Sequence, residues 1–167
     1  TDCPHYWRFG KENEKEEDFS KRMGKNLEDL ITKEDPETIA GFFAEPVMGA
    51  GGVIPPSKGY FDIIQPILKK YTIPFIADEV ICGFRISKGG AQAKFSVTPD
   101  LTTMAKIVAG GMPGGAVAGK AEIMDQLSFD LGSNRVDHHG TFNANPASAA
   151  AGIATLKIID RDPINSQ

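Results

Sequence analysis

Ile73-Pro-Phe-Ile-Ala-Asp-Glu-Val80 is apolar from its first residue and then breaks into two adjacent carboxylates. A short uninterrupted apolar run of this kind fits a strand buried on both faces, the usual situation in a parallel sheet. Upstream, Thr38-Ile-Ala-Gly-Phe-Phe-Ala-Glu45 has the same form and closes on a carboxylate followed by Pro46. Downstream, strands are expected over residues 101–105 and from Gly115 to Ala118. Between the first two runs, Tyr60 to Lys70 places Phe61, Ile64, Ile67 and Leu68 on one helical face. Pro66 inside that segment predicts a kink or a late helix start. Alternation of strand, helix and strand gives an α/β class, with a mostly parallel sheet flanked by helices.

The remaining segments fit around this frame. Residues 1–12 read as an irregular or extended lead-in carrying His5, Tyr6, Trp7 and Phe9. From Glu14 to about Lys33, Phe19, Met23, Leu27, Leu30 and Ile31 form the stripe of an amphipathic helix, interrupted by Gly24. The acidic run Glu14 to Asp18 suits the positive end of that helix. Gly49, Gly51, Gly52, Pro55 and Pro56 make a long turn, and residues 83–99 an irregular glycine-rich loop. Helices follow near 121–127 and 146–160. Asn145 is placed to cap the second and Pro146 to begin it. The small residues from Ala147 to Gly152 call for close packing against another element or another subunit.

Composition limits the functional classes. The chain has 167 residues, 41% hydrophobic and 24% charged, which fits one ordinary globular unit. Its net charge of −4 offers no basic face for nucleic acid. No apolar stretch approaches the roughly 20 residues of a membrane span, and the first residues lack the charged-then-apolar form of a signal segment. Cys3 and Cys82 form neither a metal spacing nor a disulfide framework, so a reducing cytoplasm is expected. The chain opens on Thr1 and closes on residues 161–167 just after a helical run; a piece of a longer protein is expected.

Ligands of such sheets gather beyond the carboxyl ends of the strands, where Glu45, Asp78 and Lys106 all fall. Lys106 follows a strand and precedes Gly110-Gly-Met-Pro-Gly-Gly115. A lysine and an aspartate at neighbouring strand ends can hold the two ends of pyridoxal phosphate, one at the aldehyde and one at the ring nitrogen. Read singly, each residue has a plainer role. Asp78 can cap a turn or pair with Arg85, and Lys106 can be a surface lysine. The glycines match neither a phosphate-binding Walker loop nor a dinucleotide fingerprint, so a nucleotide-binding or interaction module is the competing class. The Thr141 hydroxyl and its neighbouring amides can donate to a phosphate. The adjacent His138 and His139 point in different directions, and no metal site is expected there.

The stretch from Asp78-Glu-Val-Ile-Cys-Gly-Phe-Arg to Gly-Gly-Ala-Gln92 resembles the class III pyridoxal-phosphate-dependent aminotransferases, of fold type I. So do Thr98-Pro-Asp-Leu-Thr-Thr-Met-Ala-Lys106, Gly110-Gly-Met-Pro113 and Gly140-Thr-Phe-Asn-Ala-Asn-Pro146. Within the family, the later stretches are most similar to glutamate-1-semialdehyde 2,1-aminomutase. Pro4-His-Tyr-Trp-Arg-Phe-Gly10 and Ala44 to Pro56 are more similar to ω-amino-acid:pyruvate members.

The resemblance implies Lys106 as the Schiff-base lysine, Asp78 as partner of the pyridine nitrogen and Val80 against one ring face. It implies that Thr141 reaches the cofactor phosphate of the neighbouring subunit in a homodimer. The cofactor is then pyridoxal 5'-phosphate, and the reaction moves an amino group from an amino acid or amine to a keto acid or aldehyde. The alternatives are transfer within one molecule and a catalytically incompetent fragment. Glu45 receives no catalytic role. The family's phosphate cup, the aromatic residue over the other ring face and the small C-terminal domain have no counterpart here. Residues 1–167 are therefore expected to form the central part of the large cofactor-binding domain, without its N-terminal segment.

Overall fold

The structure, a computed structural model, describes residues 1–162. Residues 163–167, which entered the reading of the chain's end, lie outside the described residues. Four strands form one sheet in the order β1 (Phe42–Ala44), β2 (Phe75–Asp78), β3 (Leu101–Ala105) and β4 (Gly115–Gly119). β1, β2 and β3 run parallel, and β4 runs antiparallel to β3. The antiparallel step follows from chain length. A parallel return needs a crossover of about a dozen residues or more, and only residues 106–114 separate β3 from β4.

The helices are α1 (Tyr6–Phe9), α2 (Glu16–Glu34), α3 (Tyr60–Lys70), α4 (Gly90–Lys94), α5 (Ala121–Met124) and α6 (Pro146–Arg161). α2 and α3 pack on the sheet face that carries Phe42 and Phe75. Phe19, Met23, Leu27 and Ile31 from α2 meet Tyr60, Phe61, Ile64 and Leu68 from α3 in one buried cluster. Phe61 stacks on Phe75 with centroids 6.0 Å apart, and Phe42 meets Phe75 edge-on at 5.6 Å. Gly24 marks the approach of the two helices, since a Cβ there would collide with Ile63. α3 begins at Tyr60 and runs through Pro66, so the late start is not seen.

Several expectations are corrected. Residues 38–41 are not strand: Asp35 takes a left-handed φ of 68°, Pro36–Thr38 form a 3-10 turn, and β1 starts only at Phe42. The lead-in contains the helical turn α1, and the 83–99 loop contains α4. α2 starts at Glu16, so Glu14 lies ahead of the helix. There its carboxylate takes Nε and Nη2 of Arg22, each at 2.7 Å, and the Lys11 amide at 2.9 Å. The strands are not uniformly buried on both faces. Strand alternation and register put Phe43, Ile76, Asp78, Thr103 and Val117 on the face opposite Phe42 and Phe75. On it Phe43 is 71% exposed and Val117 48% exposed.

Candidate functional site

Asp78 ends β2 and pairs in register with Thr103 of β3; Lys106 follows the last residue of β3. Because β2 and β3 are neighbouring parallel strands, both side chains arise at the same carboxyl-terminal edge of the sheet. The backbone turns sharply at Lys106, whose φ of 53° lies in the left-handed region seldom taken by residues other than glycine. A 3-10 turn, Lys106–Ala109, carries the chain into the left-handed Gly110 and Gly111. Lys106 is exposed, and among the described residues no carboxylate lies within ion-pair distance of its amine.

α6 holds this turn from behind. Gly152 is buried against the carbonyl of Val108, a Cβ on Gly110 would strike the carbonyl of Ala151, and Ser148 Oγ donates to the carbonyl of Pro113 at 2.6 Å. The small residues of α6 thus serve contact with the Lys106 turn within the same chain. Asn145 caps α6 as expected, its Oδ1 accepting the amides of Ala147 and Ser148 at 3.0 and 3.2 Å.

Asp78 does cap a turn: its Oδ1 accepts the Val80 amide at 2.9 Å. It does not pair with Arg85, whose Nε donates to the carbonyl of Ile81 at 3.0 Å. One carboxylate oxygen is therefore committed to the turn, and Oδ2 has no hydrogen-bond partner among the described residues. Val80 is half-buried in that turn. Thr141 lies in an exposed turn four residues ahead of the Asn145 cap. Glu45 is occupied locally, its Oε2 accepting the Gly49 amide at 2.8 Å.

Sequence reasoning passed over Glu79. It is 1% exposed, and its oxygens accept the amides of Gln92 at 2.6 Å and Ala91 at 3.0 Å. Its one signal was position, an acid directly after the strand-end aspartate and ahead of Gly89-Gly90. Cys82 packs beside it. Burial, and then the Glu79 carboxylate, push the Cys82 thiol up to about 12. Two cavities, of about 310 and 470 Å³, lie elsewhere: one beside Leu27, Phe42 and Leu68, the other beside Gln92, Thr102 and Lys120. Neither is lined by Asp78 or Lys106.

The donor set suits the two ends of pyridoxal phosphate. Among the described residues, a free carboxylate oxygen stands at one strand end, and an exposed amine unpaired with an acid stands at the next. This is an α/β sheet with a lysine and an aspartate at adjacent parallel strand ends. The chain belongs to the aminotransferase class-III family, whose family model matches residues 5–167.

Gamma aminobutyrate transaminase 3, chloroplastic, of Solanum lycopersicum is 52% identical over 161 residues, which is 95% of this chain and 31% of that protein. The ω-transferase from Vibrio fluvialis JS17 shares 42% identity at a TM-score of 0.88, covering 98% of this chain and 39% of that one. A PLP-bound aminotransferase mutant from Vibrio fluvialis shares 42% identity at a TM-score of 0.89, covering 98% and 37%. The chain thus spans about a third of the curated relatives it matches. Among the described residues no helix is long and apolar enough to cross a membrane.

Proposed function

We propose that this chain is the central part of the large domain of a pyridoxal-phosphate-dependent aminotransferase. Its N-terminal segment and small C-terminal domain would belong to the rest of the protein. The reaction moves an amino group from an amino acid or amine to a keto acid or aldehyde. One observation carries the reading: Lys106 sits in a left-handed turn at the end of β3, beside the strand that ends in Asp78.

Bound pyridoxal phosphate supplies an electron-withdrawing ring that accepts the electron pair of the substrate Cα–H bond. Lys106 Nζ holds the cofactor at its aldehyde carbon. With its amine free, Lys106 would take the proton from the substrate Cα as general base and return a proton as general acid. Asp78 Oδ2 would accept the N–H of the ring nitrogen and keep that nitrogen protonated, while Oδ1 stays on the Val80 amide. Half-buried in the same turn, Val80 would lie against one face of the ring. The Thr141 hydroxyl, exposed here, would donate to the cofactor phosphate of a neighbouring subunit in a homodimer.

An ω-amino acid of the γ-aminobutyrate kind is the donor favoured by the transaminase names among the relatives, which also favour transfer between molecules over transfer within one. The full-length protein with pyridoxal phosphate, γ-aminobutyrate and pyruvate is expected to form succinate semialdehyde and alanine. Conversion of glutamate-1-semialdehyde alone, with no turnover of the amine and keto acid pair, would instead establish the aminomutase reading. Cytoplasmic residence rests on the cysteine content; the plant relatives are named chloroplastic and mitochondrial. Imaging of the tagged full-length protein decides between these compartments.

A second reading is favoured by the share of the relatives' length that the chain covers. In it the 167 residues keep the fold core but do not turn over substrate by themselves. Pyridoxal phosphate added to this chain alone tests it, and a stoichiometric, borohydride-fixable label on Lys106 with amino transfer would refute it.

A further inference from the structure

Between Asp78 and Val80 stands a buried acid that the reaction above does not use. Glu79 is tied at three points. Its amide donates to the carbonyl of Thr103 in β3 at 2.9 Å, and its carbonyl accepts the Gly83 amide at 2.8 Å, closing the turn that carries Val80. Its carboxylate, 1% exposed, takes the amides of Ala91 and Gln92. A carboxylate buried to that degree is retained only where hydrogen bonds replace its lost hydration. Gly90 makes the reach possible: its φ is +72°, and a Cβ there would fall 2.6 Å from Oε1. Gln92 returns the tie to the sheet, its Nε2 donating to Thr102 Oγ1 at 3.4 Å.

Resting on the functional reading above, we propose that Glu79 is the positioning residue of the Asp78–Val80 corner. By clamping the amides of Ala91 and Gln92 it fixes the 79–83 turn. In that turn the Val80 amide occupies Asp78 Oδ1, and Oδ2 is left for the ring nitrogen. A glutamine at 79 has one acceptor oxygen for two backbone donors, so one amide would face an NH2 group. The corner then loses its anchor, and Asp78 loses its fixed direction.

The test uses the full-length protein as wild type, Glu79→Gln, Glu79→Asp and Gly90→Ala. Without cofactor, the 90–92 amides of Glu79→Gln are expected to exchange faster than those of wild type. With cofactor, Glu79→Gln should bind pyridoxal phosphate roughly tenfold or more weakly, the scale of a lost hydrogen bond to a charged group. The pH midpoint of the bound cofactor's visible absorbance should also move, because the Asp78 charge at the ring nitrogen tunes that midpoint. A residue that served stability alone would lower the melting temperature of the cofactor-free protein and leave this midpoint in place.

Glu79→Asp keeps two acceptor oxygens and should move the midpoint less. Gly90→Ala displaces the carboxylate without changing it and should behave like Glu79→Gln; it carries the test if Glu79→Gln fails to fold. A Glu79→Gln protein with wild-type affinity and midpoint overturns the proposal alone. A wild type that takes up no pyridoxal phosphate overturns the functional reading and this proposal together.

Discussion

Gly152 of α6 faces the carbonyl oxygen of Val108 so closely that a Cβ on it would lie 2.5 Å from that oxygen. With Gly110 set against Ala151, this contact lets α6 meet the Lys106–Ala109 turn backbone to backbone. The left-handed conformation of Lys106 costs about 1 kcal/mol or more and persists only where the surroundings hold it. α6 is the element that does so.

Gly152→Ala is therefore expected to act on the lysine from a distance. The contact is with main chain, so no flexible side chain can yield. Unfolding in urea should show a loss of about 1–3 kcal/mol, the range for overpacking. The fraction of Lys106 that borohydride fixes to pyridoxal phosphate should fall with it. A substitution neutral in both measurements would mean that α6 does not set the turn.

Asp78→Asn should separate the two oxygens of that side chain. The amide oxygen can still accept from the Val80 amide, so the turn and the fold are kept. The charge that the proposed function sets beside the ring nitrogen is lost. Turnover of the full-length enzyme is expected to fall by about 10²-fold or more, with far less change in cofactor retention. Undiminished turnover would remove Asp78 from the chemistry.

Glu14 provides a pH signature independent of cofactor. The Arg22 guanidinium, hydrogen-bonded to it, holds the Glu14 carboxyl down at about 2 against an ordinary 4.5. A depressed folded value stabilises the native state fully above the unfolded value and loses that contribution as pH falls through the folded one. The difference in melting temperature between wild type and Glu14→Gln should be constant above pH ~5 and shrink toward pH ~2. A difference that grows with acidity would contradict the pairing.

The two cysteines should separate in reactivity. Cys3 is exposed, whereas Cys82 is buried with its thiol held protonated. Peptide mapping after brief treatment with a thiol reagent at pH ~8 should find label on Cys3, with Cys82 labelled only in denaturant. Rapid labelling of Cys82 in the native protein would mean that the corner beside Glu79 opens.

Much of the frame was legible because apolar runs ending in carboxylates mark buried strand ends, as at Phe75–Asp78. The positions of Lys106 and Asp78 at neighbouring strand ends were readable for the same reason. The direction of β4 required the short connection to be weighed, and periodicity alone does not encode it. α4 escaped notice because it spans only Gly90–Lys94, opens on a left-handed glycine, and is held by a carboxylate eleven residues upstream of its first residue. Glu79 escaped for a related reason: two adjacent acids look alike in sequence, while burial and partners divide one that caps a turn from one tied into the scaffold. The open face at Phe43 was equally hidden, because an apolar run does not say which neighbour covers it.

The most direct test of the account is where pyridoxal phosphate attaches. The full-length protein is loaded, treated with borohydride, digested and mapped by mass spectrometry, alongside Lys106→Ala. A pyridoxyl group on Lys106 in the wild type, and no fixed cofactor in the variant, is the predicted result. A label on another lysine, or one that persists in Lys106→Ala, would contradict it.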